Sequence, residues 1–326
     1  MAAVTSPRGG DELGKAPPGR GLAKNLAVGN EELVLKTKKI IGARGRDRGV
    51  VMTGGSLTLR EPQEINMVGS ISRSFTLMKV SIVTVCYNSE ATIRDTIESV
   101  IAQSYPDIEY IIVDGASTDR TMAIVNGYKD RISMVVSEPD KGIYDAMNKG
   151  IKLATGDVVG LLNSDDFFAD NTIISKLVHT FENDVTVAGI YGDLVYVQKN
   201  NASKNVRYYS SRFFSRWKIR FGLMLPHPTL YLRREVFQEF GFYKLDYRVA
   251  ADYEFITRLI TRGVSLKRLP TVMVKMRAGG ISSTGIWWCI HQNMEIVRAC
   301  RDNGVYTNFF MISAKFPFKI LSYFRR

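Results

Sequence analysis

Asp157-Val-Val-Gly-Leu-Leu-Asn-Ser-Asp-Asp166 decides how the rest of the chain is read. Its apolar centre reads as a buried strand of an α/β sheet, and such sheets bind ligands just beyond the carboxyl ends of their strands. Asp165 and Asp166 stand at that end. Two adjacent carboxylates repel unless a cation, a proton or a donor compensates them. A hard, oxygen-seeking cation such as Mg²⁺ or Mn²⁺, shared with substrate phosphates, answers that need. The competing reading makes Asp165 or Asp166 the cap of a helix over Asn171 to Asn183.

The chain on either side supplies the class. Val80 to Val85 reads as a strand and Ala91 to Gln103 as an amphipathic helix, with Ile93, Ile97, Val100 and Ile101 on one face. Ile108 to Val113, a helix from Asp119 to about Tyr128, a strand Ile132 to Val136 and a helix Lys141 to Ala154 follow. Gly156 marks the stop of that last helix. Strand and helix in this rhythm imply parallel β-α-β units on one sheet. After Asp166 the alternation loosens. It gives a helix, strands Val185 to Gly189 and Asp193 to Gln198, a basic segment Lys199 to Arg220, and a strand Thr229 to Leu232. Helices over Arg234 to Phe240 and from Ala250 to Arg262, then a strand Val272 to Met276, complete the series. The first strand-to-helix turn, Cys86-Tyr87-Asn88-Ser89-Glu90, carries neither a dinucleotide-binding Gly-x-Gly-x-x-Gly nor a Walker loop.

Composition bounds the remainder. The 326 residues include 45% apolar ones, enough for a large core. Residues 1 to 77 hold Pro7, Pro17, Pro18 and Pro62, several glycines and one aromatic, Phe75, a composition that cannot offset its chain entropy and reads as disordered. Met78 opens directly onto the first strand, so the preceding stretch is also read as an upstream extension of the reading frame, outside the native protein. The net charge is +12, and residues 1 to 77 carry 12 Lys/Arg against 7 Asp/Glu, so most of the surplus lies in the remainder. It favours anionic partners. No helix-turn-helix, zinc-finger or RNP pattern supports nucleic acid. Cys86, Cys289 and Cys300 and the three histidines lack metal-ligand spacing, which argues against zinc and for reduced thiols in a cytoplasmic setting.

Thr84-Val-Cys-Tyr-Asn88, Asp114-Gly-Ala-Ser-Thr-Asp119, Ser137-Glu-Pro-Asp-Lys-Gly-Ile-Tyr-Asp-Ala-Met-Asn148, Asn163-Ser-Asp-Asp166 and Asp252-Tyr-Glu254, in that order, resemble the family 2 glycosyltransferases of the GT-A fold. Among these the chain is most similar to bacterial enzymes that build O-antigen, capsule or exopolysaccharide repeat units. The resemblance spans about residues 79 to 285 and implies a GT-A α/β fold: a mostly parallel central sheet flanked by helices, spanning residues 78–285, after the 1–77 extension and before a helical tail, 286–326. It implies that Thr84, Tyr87, Asn88 and Asp114 line the nucleotide pocket of a nucleoside-diphosphate sugar, with Asp114 on the base. It also implies a ribose contact from Asn163, which stands where relatives often carry Asp, and a Mg²⁺ or Mn²⁺ ligand in Asp165. Asp252 matches the family's catalytic base, with a helix N-cap as its alternative role. Asp140 either borders the donor pocket or caps the helix after it. His227 and Gly280 are matched to the acceptor or diphosphate side, with a structural histidine and a bare tight turn as the alternatives.

The processive Gln-x-x-Arg-Trp motif does not follow the base, so one sugar per acceptor is expected. Trp287-Trp288, Phe309-Phe310, Phe316, Phe318, Tyr323 and Phe324 alternate with Lys315, Lys319, Arg325 and Arg326. Together with the basic, aromatic run Arg212 to Met224, they suggest peripheral attachment to the anionic inner face of the cytoplasmic membrane, within reach of a lipid-linked oligosaccharide acceptor. The competing reading is a helix packed on the core. A sugar-nucleotide pyrophosphorylase is the rival enzyme, disfavoured by the missing Gly-rich loop after the first strand. A silent scaffold is the other rival, disfavoured by the presence of Asp114, Asp165 and Asp252.

Overall fold

The computed structural model describes residues 77–279 and 286–313. The expectations for residues 1–76, for Gly280 and for residues 314–326 lie outside the described residues. The described residues fall within one compact unit.

The parallel half of the sheet is laid down first. β1 (Val80–Cys86) pairs with β2 (Ile108–Asp114) on one side and β4 (Val158–Leu161) on the other, and β3 (Met134–Ser137) extends the sheet beyond β2, all parallel. Every residue of β1 and β4 is buried, which is why both are dominated by apolar residues, with only Ser81 and Thr84 polar in β1. The crossovers are α1 (Ile93–Ile101), α2 (Thr121–Asn126) and α3 (Ile143–Leu153). α3 lies close on β1: a Cβ at Gly150 would sit 2.2 Å from a methyl of Val83, so only glycine permits this approach.

The second half is mixed. β8 (Tyr231–Arg233) runs antiparallel between β4 and β6 (Gly189–Gln198), β9 (Leu266–Arg277) pairs parallel with β6, and β5 (Asp166–Phe168) pairs antiparallel with β9. The sheet order is β3-β2-β1-β4-β8-β6-β9-β5, with β7 (Asn201–Tyr209) also on β6. The sheet is therefore parallel over its first four strands and antiparallel at most later joins. Three details differ from the sequence reading. The strand expected at 185–189 is a turn that ends where β6 begins, and the one expected at 193–198 is the later part of β6, whose register against β9 shifts around Asp193. The basic segment contains β7, a hairpin partner of β6. Neither Asp165 nor Asp166 caps α4 (Ile173–Glu182): Thr172 is its N-cap and Asp166 opens β5.

α5 (Arg234–Phe240) and α6 (Ala251–Thr261) cover one face, and α7 (Ile286–Asp302) and α8 (Phe309–Ser313) close over them. Ile296, Ala299, Cys300 and Ile312 join the same core cluster as Val83, Phe255 and Leu259, so the part of the tail described here packs on the fold. No helix among the described residues is long and apolar enough to cross a membrane.

Candidate active site

The carboxyl ends of β1, β2 and β4 are tied together by their loops. After β1 the chain turns through Asn88 at φ 47°, a left-handed conformation that asparagine tolerates. Its carboxamide oxygen accepts the Thr118 N–H at 2.9 Å, and its own N–H donates to Ser117 Oγ at 2.8 Å. Asp114, at the end of β2, has no exposed surface. Its Oδ2 accepts the Ser117 N–H (3.0 Å) and the Ser137 hydroxyl (2.7 Å), while Oδ1 accepts the Ser117 hydroxyl (2.5 Å) and the Cys86 thiol (3.6 Å). Those four donors occupy about as many positions as a carboxylate offers. Asp114 thus organises the crevice floor. Burial, then the neighbouring Asp114 charge, push the Cys86 thiol up, so it remains a protonated donor.

Tyr87 and Asp140 face each other across Gly115. A Cβ there would lie 2.4 Å from Asp140 Oδ2 and 3.5 Å from the Tyr87 ring, so glycine keeps this crevice open. Tyr87 is 63% exposed and available for stacking. Asp140 Oδ1 accepts the Gly142 N–H at 2.7 Å, just before α3, so it serves the turn as well as bordering the crevice. Thr84 sits differently. It is enclosed within the sheet and takes the Tyr110 hydroxyl at 3.2 Å.

The loop Asn163–Asp166 is joined to the β1 loop by Ser164 Oγ and Ser89 Oγ, 2.8 Å apart. Asp166 is fully buried, and the Asn163 amide donates to its Oδ2 at 3.1 Å. Asn163 Oδ1 and Asp166 Oδ1 are buried with no hydrogen-bond partner among the described residues. Burial pushes the Asp165 carboxyl above the ordinary carboxylate range. Burial and then the Asp165 charge push Asp166 well above it. Arg277, at the end of β9, opposes both shifts. It donates to the Asp165 carbonyl at 2.8 Å, pairs with Asp95, and lies 5.0 Å above the Phe167 ring.

Orphaned oxygens beside desolvated carboxylates fit a hard divalent cation, which would satisfy the lone pairs and offset the like charges. Among the described residues no three His, Cys, Asp or Glu side chains converge. The protein's own donors are thus few, as in sites where a metal shares its coordination with substrate phosphates.

Asp252 lies in the first turn of α6, one residue past its start, and the N-cap is Ala250. Its Oδ1 accepts the Tyr253 N–H at 2.8 Å and the Tyr144 hydroxyl at 3.2 Å. Burial, then Asp252, push the Tyr144 hydroxyl up, so it stays a donor, shared with the Val249 carbonyl at 2.8 Å. Tyr144 stacks on Tyr243 at 5.8 Å, and the Tyr243 hydroxyl meets His227 Nε2 at 2.8 Å. His227 is buried, and burial lowers its pKa against the opposing pull of Asp252. Asn148 clamps the Tyr243 backbone with two bonds, at 2.8 and 3.0 Å. From α7, Glu295 accepts the N–H groups of Arg248, Val249 and Ala250 (2.8, 2.8 and 2.9 Å), fixing the entry to α6.

A continuous chain of contacts therefore joins the three acids. Ser164 meets Ser89, Asn88 meets the loop after Asp114, Gly115 meets Asp140, and α3 carries Tyr144 to Asp252. Tyr144, Tyr243, Arg277 and Glu295 take part without having been singled out from the sequence. For Tyr144 the signal was its place in the Ser137–Asn148 stretch.

A family model described as Glycosyl transferase family 2 matches residues 81–241. The chain is 31% identical over 222 residues to WfaP of Escherichia coli, a UDP-Glc:alpha-D-GlcNAc-diphosphoundecaprenol beta-1,3-glucosyltransferase. That match covers 66% of this chain and 84% of the relative. It is 29% identical over 209 residues to a PGL/p-HBAD biosynthesis glycosyltransferase of Mycobacterium tuberculosis, covering 63% and 79%. The fold is shared with S. aureus TarS at a TM-score of 0.55 and 19% identity, over 68% of this chain and 39% of that one. It is also shared with the mannosyltransferase PcManGT from Pyrobaculum calidifontis, solved with GDP-Man and Mn²⁺, at a TM-score of 0.52 and 19% identity, over 69% and 63%. The chain spans less than two thirds of these two solved chains. The sheet and its flanking helices form a GT-A-like α/β fold. The chain belongs to glycosyl transferase family 2.

Proposed function

We propose that the protein is an inverting transferase that moves one sugar from a nucleoside-diphosphate donor to a lipid-linked oligosaccharide in bacterial surface polysaccharide assembly. Asp252 removes the proton of the acceptor hydroxyl while that oxygen attacks the anomeric carbon, opposite the departing diphosphate. The observation that carries this reading is the Tyr144 hydroxyl on Asp252 Oδ1, because it orients that carboxylate from α3, the helix that starts beside Asp140. Tyr87 stacks on the base, and Asp114 meets it by exchanging one of its present donors, the thiol of Cys86 being the weakest. Asn163 contacts the ribose. Asp165, beside the orphaned oxygens of Asn163 and Asp166, would hold Mg²⁺ or Mn²⁺. When bound there, such a cation would supply positive charge to offset that of the diphosphate.

His227, backed by Tyr243, shapes the acceptor side. The diphosphoundecaprenol in the WfaP name supports a lipid-linked acceptor and placement at the cytoplasmic membrane's inner face. The donors bound in the structural neighbours, UDP-GlcNAc in TarS and GDP-Man in PcManGT, support a nucleotide sugar.

Titration calorimetry with UDP, GDP and dTDP, each with and without Mn²⁺, tests the donor half: one nucleotide is expected to bind, and more tightly with the metal. Proton NMR of the new linkage tests the stereochemistry. An anomeric configuration unchanged from the donor, or undiminished transfer by Asp252→Asn, overturns the mechanism.

A further inference from the structure

Between Asp193 and Glu235 the sequence holds nine Lys or Arg and no Asp or Glu, and after Asp302 it holds four cations and again no acid. The fold brings these two acid-free segments together. The 3₁₀ turn Arg216–Phe221 packs against α8, and the Thr307 hydroxyl donates to the Arg220 carbonyl at 2.5 Å.

The 3₁₀ turn and α8 are each anchored by one inward aliphatic side chain, Ile219 and Ile312, both enclosed in the same core cluster. The rings beside them point outward. Phe213 is 62% exposed, Trp217 58%, Phe309 42% and Phe310 85%. Arg212 and Arg220 are exposed among them. Core burial therefore does not account for these rings, and exposed aromatics cost solubility unless a partner covers them.

We propose that this joint surface, the 3₁₀ turn with α8, is a docking face for an anionic lipid bilayer. Rings at headgroup depth with cations on acidic lipid are how an interfacial segment binds, and a surface that excludes acids matches a negatively charged plane. The following stretch, Lys315-Phe-Pro-Phe-Lys-Ile-Leu, continues the same mixture in sequence. Bilayer rather than nucleic acid is favoured because aliphatic and aromatic residues recur with the cations on both segments. The inference deepens the membrane placement proposed above and adds its surface. The face is joined to the helix of the catalytic base, since the Tyr253 hydroxyl, next to Asp252, donates to the Ile219 carbonyl.

Flotation of the full chain with phosphatidylcholine vesicles, with and without phosphatidylglycerol, tests it. The wild type is expected to float with the anionic vesicles only, less so at high salt. Trp217→Ser combined with Phe310→Ser should weaken binding by about tenfold or more. Arg212→Gln and Arg220→Gln should each weaken it roughly fivefold. All variants should transfer sugar to a water-soluble short-chain acceptor at the wild-type rate.

Equal flotation by wild type and these variants overturns the proposal. So does loss of flotation only on Lys315→Gln with Lys319→Gln, which would assign binding to the following segment. Tight binding of a duplex oligonucleotide in place of vesicles, or a dimer that Trp217→Ser and Phe310→Ser dissolve, also overturns it by naming another occupant. If the wild type floats yet transfers nothing to any acceptor, the docking face stands and the enzymatic reading fails.

Discussion

The two ends of the parallel strands treat carboxylates in opposite ways. At the amino end, Glu109 on β2 accepts the Lys79 ammonium (2.9 Å), the Ser81 hydroxyl (2.6 Å), and the Thr155 N–H (2.8 Å) and hydroxyl (2.6 Å). Burial alone would raise its pKa, but those bonds outweigh it and hold the carboxyl at about 2. At the carboxyl end, Asp165 and Asp166 are pushed upward, and one oxygen of Asp166 has no partner. The first arrangement is a carboxylate finished by its own protein. The second leaves desolvated charge without matching donors among the described residues, the kind of perturbation that accompanies functional sites.

The largest expected effect lies beyond both ends, at Asp252. Asp252→Asn should lower transfer by roughly 10²- to 10⁴-fold, the usual worth of a general base, while leaving donor affinity unchanged in calorimetry. Tyr144→Phe keeps the ring stack on Tyr243 but removes the bond to Oδ1, so its loss should be smaller and confined to kcat.

Next comes Asp165→Asn. Mn²⁺-dependent donor affinity should fall by about 10- to 100-fold, whereas the metal-free protein should melt at a higher temperature than the wild type, because a desolvated charge has been removed. Glu109→Gln should do the reverse: normal transfer, and a stability loss of about 1–2 kcal/mol, seen as a melting point lower by about 2–8 °C. If both variants shift the melting point in the same direction, the contrast between the two ends does not hold.

That contrast was legible from the sequence at one end only. Asp165 and Asp166 stand out because they follow an apolar strand within a few residues, and buried parallel strands announce themselves as runs such as Val-Ser-Ile-Val-Thr-Val. Glu109 looks like any charge at a strand's start, since its partners come from Lys79 and Thr155 on other elements. Tyr144 meets Asp252 across 108 residues, a distance no local pattern encodes. β7 was missed for a related reason. Its residues are mostly exposed and polar, and the segment becomes a strand because β6 offers it an edge. β5 is three residues long, too short for any periodicity.

The smallest effect is in the pH dependence of stability, and its sign separates the two ends. Glu109 has a folded pKa depressed to about 2, so its contribution is full above the unfolded value near 4.5 and is lost as pH falls from there toward 2. Glu109→Gln should flatten that acid limb of the urea midpoint plotted against pH. Asp166 has a raised folded pKa, so its contribution is full below the unfolded value of 3.8 and is lost as pH rises through the folded one. The metal-free wild type should therefore lose stability with rising pH on this limb. Asp166→Asn should reduce that slope and Asp165→Asn added to it should remove it, and saturating Mn²⁺ should reduce it in the wild type, because a bound cation favours the ionised carboxylates. A slope that survives in the double variant Asp165→Asn, Asp166→Asn would mean that the destabilised group lies elsewhere, and the reading of Asn163–Asp166 as a cation site would lose its physical basis.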